Sequence, residues 1–271
     1  MIRTPVQPFR VPRMQPSPRE QVYKEQLPQQ SARRPASLYR YSLSVILPAY
    51  NEAENIQATL YAVLNVLPPL VSDFEIIVVD DGSKDQTGAI VESLAYSIPV
   101  IRVIHHPVNR GYGAALATGF GAATKEFCFY MDSDGQFDIR DLSKLLPLLQ
   151  EYDGVFGYRV RRRDSWMRKV NAWGWNLLIR FTFNLKIRDV DSAFKIFRTD
   201  CVRQVQLESH GPLMPTELVY KFARAGYAYA EVGVKHYPRV KGRSRKANLG
   251  STLCAFRELS YYVQKWGAEK L

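Results

Sequence analysis

The segment Asp132-Ser133-Asp134-Gly135-Gln136 sets two carboxylates two residues apart and a side-chain amide two residues further on. Oxygen ligands of this kind suit a hard divalent cation, Mg²⁺ or Mn²⁺. A cation held by so few protein ligands keeps positions open for phosphate oxygens, so the segment also suits a nucleoside diphosphate. Asp, Ser and Gly are ordinary turn residues too, and alone the segment reads equally well as an Asx-rich turn.

Two other segments offer complementary chemistry. In Asp80-Asp81-Gly82-Ser83, the carboxylates can accept hydrogen bonds from a nucleobase or ribose, Gly82 permits a close turn and Ser83 can cap a following helix. A plain strand-to-helix turn is the alternative. Pro48-Ala49-Tyr50-Asn51-Glu52 presents a rigid turn, an aromatic face and polar groups suited to a nucleoside, while Asn51 with Glu54 also forms a capping box. Gly111-Tyr112-Gly113, with Asp132 further on, has the outline of a dinucleotide fingerprint. Leu116 stands where its third glycine belongs, and the segment lies at the third βα crossing, so that reading is rejected. Gly111 and Gly113 either bring a loop close to a donor or pack tightly against protein.

These segments need strands to present them. From Ser44 onward, short apolar runs alternate with helical segments, which predicts an α/β domain around a largely parallel sheet. Strands are expected at Ser44 to Ala49, Phe74 to Asp80, Val100 to His105, Phe127 to Asp132, Val155 to Tyr158, Ser192 to Phe197 and Tyr227 to His236. Ile56, Leu60, Val63, Leu64 and Leu67 recur at helical steps, and further helices fit Gln86 to Leu94, Ala114 to Ala123, Thr216 to Ala225 and Thr252 to Trp266. In an open parallel sheet, ligands bind beyond the carboxyl ends of the strands. The three polar segments follow the first, second and fourth strands, which is where such a site forms.

Pro48 to Glu52, Asp80 to Ser83, Asn109 to Gly113 and Asp132 to Asp134, in this order, resemble the family 2 glycosyltransferases with their GT-A nucleotide-sugar fold. The resemblance extends through Asp189-Val190-Asp191-Ser192-Ala193-Phe194-Lys195-Ile196-Phe197-Arg198 to the basic loop near Lys241, and is strongest for the dolichyl- and polyprenyl-phosphate mannose or glucose synthases. It implies that Asp132, Asp134 and Gln136 hold the metal, and that Pro48, Tyr50, Glu52 and Asp80 hold the nucleoside. It places Arg159, Arg168, Lys241 and Arg243 where the synthases bind the lipid phosphate. The implied reaction is displacement with inversion at the anomeric carbon, the cation stabilising the departing diphosphate. An ionised phosphate acceptor needs no general base. A hydroxyl acceptor needs one, for which Asp189, Asp191 and Glu217 are candidates. Each has a structural alternative: Glu217 as a helix N-terminal charge, the aspartates as strand termini.

Composition narrows the remaining classes. The 271 residues carry a net charge of +11, split as +6 over residues 1–41, −9 over 42–157 and +14 over 158–271. An acidic middle beside a basic last third fits a cation site next to a surface for anions. Residues 1–41 hold seven of the sixteen prolines and many glutamines, and are expected to be a disordered basic arm ahead of a single domain at 42–271. No apolar run approaches the roughly 18 to 20 residues that cross a bilayer, and no secretory signal is legible near the N-terminus. The chain is therefore expected to be cytoplasmic and peripheral at the membrane face, docking through the Trp166, Trp173 and Trp175 helix or with an integral membrane partner. Cys128, Cys201 and Cys254 lack metal-type spacing and read as packing residues. A hydroxyl-acceptor enzyme and a noncatalytic nucleotide-sugar or nucleic-acid binder are the alternatives; nucleic acid is not an expected partner.

Overall fold

The computed structural model describes residues 38–160, 166–211, 213–239, 241 and 249–268, with the backbone alone described at 166–173, 249–256 and 267–268. Seven strands form one sheet: β1 (Tyr39–Ala49), β2 (Val71–Asp80), β3 (Ile101–His105), β4 (Phe127–Met131), β5 (Gly154–Val160), β6 (Phe194–Arg198) and β7 (Tyr229–Lys235), in the spatial order β3-β2-β1-β4-β6-β5-β7. Six strands run the same way. Only β6 is reversed, pairing antiparallel with both β4 and β5. The sheet is thus α/β and mostly parallel, as expected.

Between the strands lie α1 (Ile56–Val66), α2 (Thr87–Ser97), α3 (Tyr112–Ala122), α4 (Leu142–Leu145), α5 (Trp166–Phe183), α6 (Thr199–Gln204), α7 (Met214–Arg224) and α8 (Leu249–Ala268). In β1, Leu43, Val45, Ile46 and Leu47 are wholly buried, as are Ile76 through Val79 in β2. Such unbroken apolar runs belong to strands covered on both faces. The stripe Ile56, Leu60, Val63 and Leu64 of α1 is buried with them.

The strand begins earlier than the sequence reading placed it. Tyr39, Arg40 and Tyr41, assigned there to the arm, belong to β1: the Tyr39 and Tyr41 rings stack at 5.7 Å, and Tyr41 packs edge-on against Phe127. Residues 1–37 of the expected arm lie outside the described residues.

At the end of the sheet remote from the polar segments, Glu75 is clamped by Ser44 Oγ (2.7 Å), the Thr124 backbone and hydroxyl, and Arg102 (2.6 Å). Burial alone would raise this carboxyl's pKa, but the combined hydrogen bonds carry it below the ordinary range. At the C-terminal side of the chain, Trp266 of α8 is buried against Phe183, Tyr220 and Tyr262, so the last helix closes onto α5 and α7. Cys128 and Cys201 are buried packing residues, as expected. No helix among the described residues is long and apolar enough to cross a membrane.

Candidate active site

The carboxyl ends of β1, β2 and β4 open into a cleft of about 500 Å³, within the range that holds small-molecule ligands. The loop after β1 contributes Pro48, Ala49, Tyr50, Asn51 and Glu52; β2 is followed by Asp81, β3 by Asn109, and β4 by Asp132, Ser133 and Asp134. Tyr112 and Ala115 enter from α3, and Arg239 from the segment beyond β7.

Hydrogen bonds between the loops fix this arrangement. Asn51, at a φ of +56° that asparagine tolerates, donates its backbone N–H to Ser83 Oγ (2.9 Å) and accepts from Lys84 N through Oδ1 (2.8 Å). Glu52 N donates to Thr87 Oγ1 (2.8 Å). Ser133 Oγ donates to the Pro48 carbonyl (2.8 Å), tying the acidic loop to the first strand. Tyr112 donates its hydroxyl to Asp132 Oδ1 (3.0 Å).

Asp132 and Asp134 carry charge that the protein does not neutralise fully. Burial, then the neighbouring Asp134 carboxylate, pushes Asp132 up to about 7; burial likewise raises Asp134, opposed by the Gln136 N–H and by Arg239. Two carboxylates held close at an energetic cost are a fitting donor set for a hard cation. Among the described residues no group of three or more His, Cys, Asp or Glu is placed to hold a metal, so this pair would hold one with further ligands of other types. Gln136 is not among the residues that line the cleft; it gives its Nε2 to the Tyr237 carbonyl (2.9 Å), which directs that hydrogen bond through Nε2 and not Oε1.

A second charged group lies at the same end of the sheet, because the reversed β6 brings its leading loop beside the loop leaving β4. Arg159 makes a two-pronged pair with Asp189, Nε to Oδ2 and Nη2 to Oδ1, both 2.7 Å. Lys195 is completely buried, donating to the Val190 and Ser192 carbonyls, and burial lowers its pKa to about 8 against the pull of Asp189 and Asp191. Burial and then Asp189 raise the Asp191 carboxyl.

Several expected roles change here. Asp80 does not line the cleft: it accepts from Ser83 N (3.0 Å) and pairs with His105 Nδ1 (3.0 Å), shaping its own turn. Ser83 is the loop fastener just described. Asp81 does reach the cleft, yet its oxygens also hold Arg110 N, Gly111 N and His106. Gly111 and Gly113 face protein instead of a donor; a Cβ on Gly111, at φ +98°, would meet the His210 carbonyl oxygen at 2.9 Å, and one on Gly113 would meet Met214 at 2.8 Å. Glu217 is fully buried, accepting from Glu208 N and Ser209 N and pairing with Lys221 at 2.7 Å, so it organises a loop and is not a base facing the cleft. Arg159 commits its Nε and Nη2 to Asp189 and its side chain is 13% exposed, so its first role is in that pair. Lys241 is exposed beside the cleft loop; Arg243 and the Arg168 side chain lie outside the described residues.

Sequence reasoning missed Tyr112, Arg239 and Lys195. A signal existed for Arg239: β7 is parallel to β5, so the first basic residues after β7 emerge at the ligand-binding end of the sheet. Tyr112 likewise follows β3 at that end.

Known proteins resemble this chain in sequence and in fold. The glycosyl transferase family 2 model matches residues 44–205. An undecaprenyl-phosphate mannosyltransferase of Micrococcus luteus is 28% identical over 211 residues, spanning 74% of this chain and 85% of the relative. A polyprenol monophosphomannose synthase of Mycolicibacterium smegmatis is 30% identical over 236 residues, spanning 82% and 86%. A glucosyl-3-phosphoglycerate synthase from Mycobacterium tuberculosis, solved with Mn²⁺ and UDP-glucose, has a TM-score of 0.62 at 21% identity over 81% of this chain and 78% of that one, a likeness of fold. The family match takes in the loops after β1, β2 and β4 that build the cleft, and the chain belongs to glycosyl transferase family 2, as a glycosyltransferase of the GT-A fold.

Proposed function

We propose that this glycosyltransferase moves a hexose from a nucleotide sugar of the GDP-mannose or UDP-glucose type to a polyprenyl or dolichyl phosphate, with inversion. The observation that carries the donor half is the incompletely neutralised Asp132/Asp134 pair inside a cleft of nucleotide size. The acceptor half rests on the two relatives named for undecaprenyl phosphate and polyprenol.

In this reading Tyr50, Asn51, Glu52 and Asp81 surround the nucleoside, Pro48 fixes the turn beneath it, and Asp132 and Asp134, with Gln136 Oε1, hold Mg²⁺ or Mn²⁺. The cation, when bound, stabilises the negative charge that develops on the departing diphosphate. Tyr112 keeps the Asp132 carboxylate oriented by its hydrogen bond. The acceptor phosphate is itself the nucleophile and is already ionised, so no side chain has to remove a proton. Lys241, Arg168 and Arg243 supply its countercharge, while Arg159, Asp189 and Lys195 form the packed floor beneath it. Exposed Phe181 and Leu178 on α5, beside the exposed Arg180, suit a peripheral contact with the cytoplasmic membrane face, unaided or with an integral membrane partner.

A second reading keeps the donor site and gives a hydroxyl acceptor to Asp191, whose raised pKa favours proton uptake. The deciding test combines purified protein, Mn²⁺ or Mg²⁺, and either GDP-mannose or UDP-glucose, with and without a short polyprenyl phosphate. Metal-dependent release of nucleotide that requires the lipid phosphate is the expected result. Turnover on a detergent-free hydroxyl acceptor, lost in Asp191→Asn and absent with lipid phosphate, overturns the first reading in favour of the second.

A further inference from the structure

Arg239 occupies an unusual place for a cation in a cation-binding cleft. Its Nη2 lies 2.5 Å from Glu52 Oε2, its Nη1 lies 3.7 Å from Asp134 Oδ2, and its Nε donates to the Lys241 carbonyl (2.8 Å). The guanidinium is only 15% exposed, as is Asp134. Asn55 Nδ2 reinforces the same node, donating to Glu52 Oε2 (2.9 Å) and to the Lys241 carbonyl (3.3 Å).

The segment carrying Arg239 is also tied to the acidic loop. Phe137 and His236 form a β-bridge, Tyr237 N donates to the Gln136 carbonyl (2.7 Å), and Gln136 Nε2 donates back to the Tyr237 carbonyl (2.9 Å). Residues 236–239 and Lys241 therefore join the residues just beyond Asp134 to the turn that carries Glu52. Arg239 thus stands between two carboxylates of the cleft, that of Glu52 and that of Asp134.

A divalent cation on Asp134 and a guanidinium 3.7 Å from the same oxygen answer the same charge and repel each other. We propose that Arg239 is an internal counter-ion of the metal pair, displaced from Asp134 when a divalent cation binds. The displacement loosens residues 236–239 from the cleft and frees Arg239 to meet an anionic donor, so metal and donor binding reinforce each other. This inference rests on the metal site of the proposed function.

The test is a titration with Mn²⁺ alone, followed by the electron paramagnetic resonance signal of unbound Mn²⁺. Arg239→Ala is expected to bind Mn²⁺ about tenfold more tightly than the wild type, within the usual range of coupling between sites. Arg239→Lys retains the charge and stays closer to the wild type. Lys241→Ala removes the same charge from the same segment without a carboxylate partner, and is expected to shift the affinity by less than about twofold. In the wild type, Mn²⁺ also speeds backbone hydrogen exchange at 236–239. Unchanged or weaker Mn²⁺ binding in Arg239→Ala, or an equal gain in Lys241→Ala, overturns the inference. Asp134→Asn separates the two levels: if it binds Mn²⁺ as the wild type does, the metal assignment falls and the inference with it. If it loses Mn²⁺ while Arg239→Ala is unchanged, only the inference falls.

Discussion

Asp132 and Asp134 leave β4, Asp189 and Asp191 lead into β6, and the antiparallel pairing of these neighbouring strands sets both Asp-x-Asp pairs at one end of the sheet. The first pair faces a cleft with one tyrosine hydroxyl and one guanidinium, 3.7 Å from Asp134, for compensation, and both its carboxyls are raised. In the second, Asp189 is gripped at two points by Arg159, with the buried Lys195 amine nearby. Its pKa falls below the ordinary range because those contacts outweigh burial. The same three-residue pattern thus stands open to a cleft in one place and, at Asp189, braces the fold in the other, according to whether the protein supplies the countercharge. Residue spacing alone does not separate these outcomes; the partners do.

Four experiments bear on this contrast. Asp134→Ala should cut metal-dependent transfer by about 10³-fold or more, roughly 4 kcal/mol of transition-state stabilisation, while circular dichroism stays native; retained turnover would remove the pair's special standing. Arg159→Ala strands Asp189 in a buried site and should cost about 3–5 kcal/mol in denaturant unfolding, with Arg159→Lys less harmful because it keeps the charge and loses the fork. A loss below about 1 kcal/mol would mean that the brace is no brace.

Third comes pH. With Asp132 raised to about 7, a proton competes with metal below that value, so Mn²⁺ affinity should fall by up to about tenfold per pH unit on acidification and level off above it. A flat calorimetric profile between pH 5.5 and 7.5 would contradict this. The smallest effect concerns stability. A carboxyl whose folded pKa lies above its unfolded value binds more protons when folded, so its contribution is present at low pH and is lost as pH rises through the folded value. Asp132→Asn should therefore melt about 2–4 °C above the wild type at pH 8 and show no such gain near pH 4. Asp189→Asn should do the reverse: its carboxylate stabilises above the unfolded pKa, so the substitution lowers the melting point at neutral pH.

Much of the architecture was legible because buried parallel strands read as apolar runs. The direction of β6 was not, since alternation and hydrophobicity are the same read either way along a strand. The cleft's acidic pair was legible from type and spacing. Its neighbours were less so: Asp80 and Asp81 are adjacent and chemically identical, yet only Asp81 lines the cleft, because His105 and Ser83 claim the other. Glu217 looked like a candidate base and is a loop anchor because the Glu208 and Ser209 N–H groups fold back onto it. The place of Arg239 escaped notice because the carboxylates it pairs with lie more than a hundred residues away in the chain.

The reversal of β6 has a consequence for how such an enzyme can diversify. Everything from β1 to β4 that lines the cleft precedes residue 135, whereas the loop entering β6 follows the whole span of α5. An insertion or deletion between β5 and β6 would therefore remodel the loop beside β4 without altering the loops that leave β1, β2 and β4. Under the proposed assignment, the donor-facing loops after β1, β2 and β4 and the loop that enters β6 are encoded in separate stretches that meet only in the folded sheet, so a change on the β6 side is available to evolution, or to an engineer, as a cassette exchange.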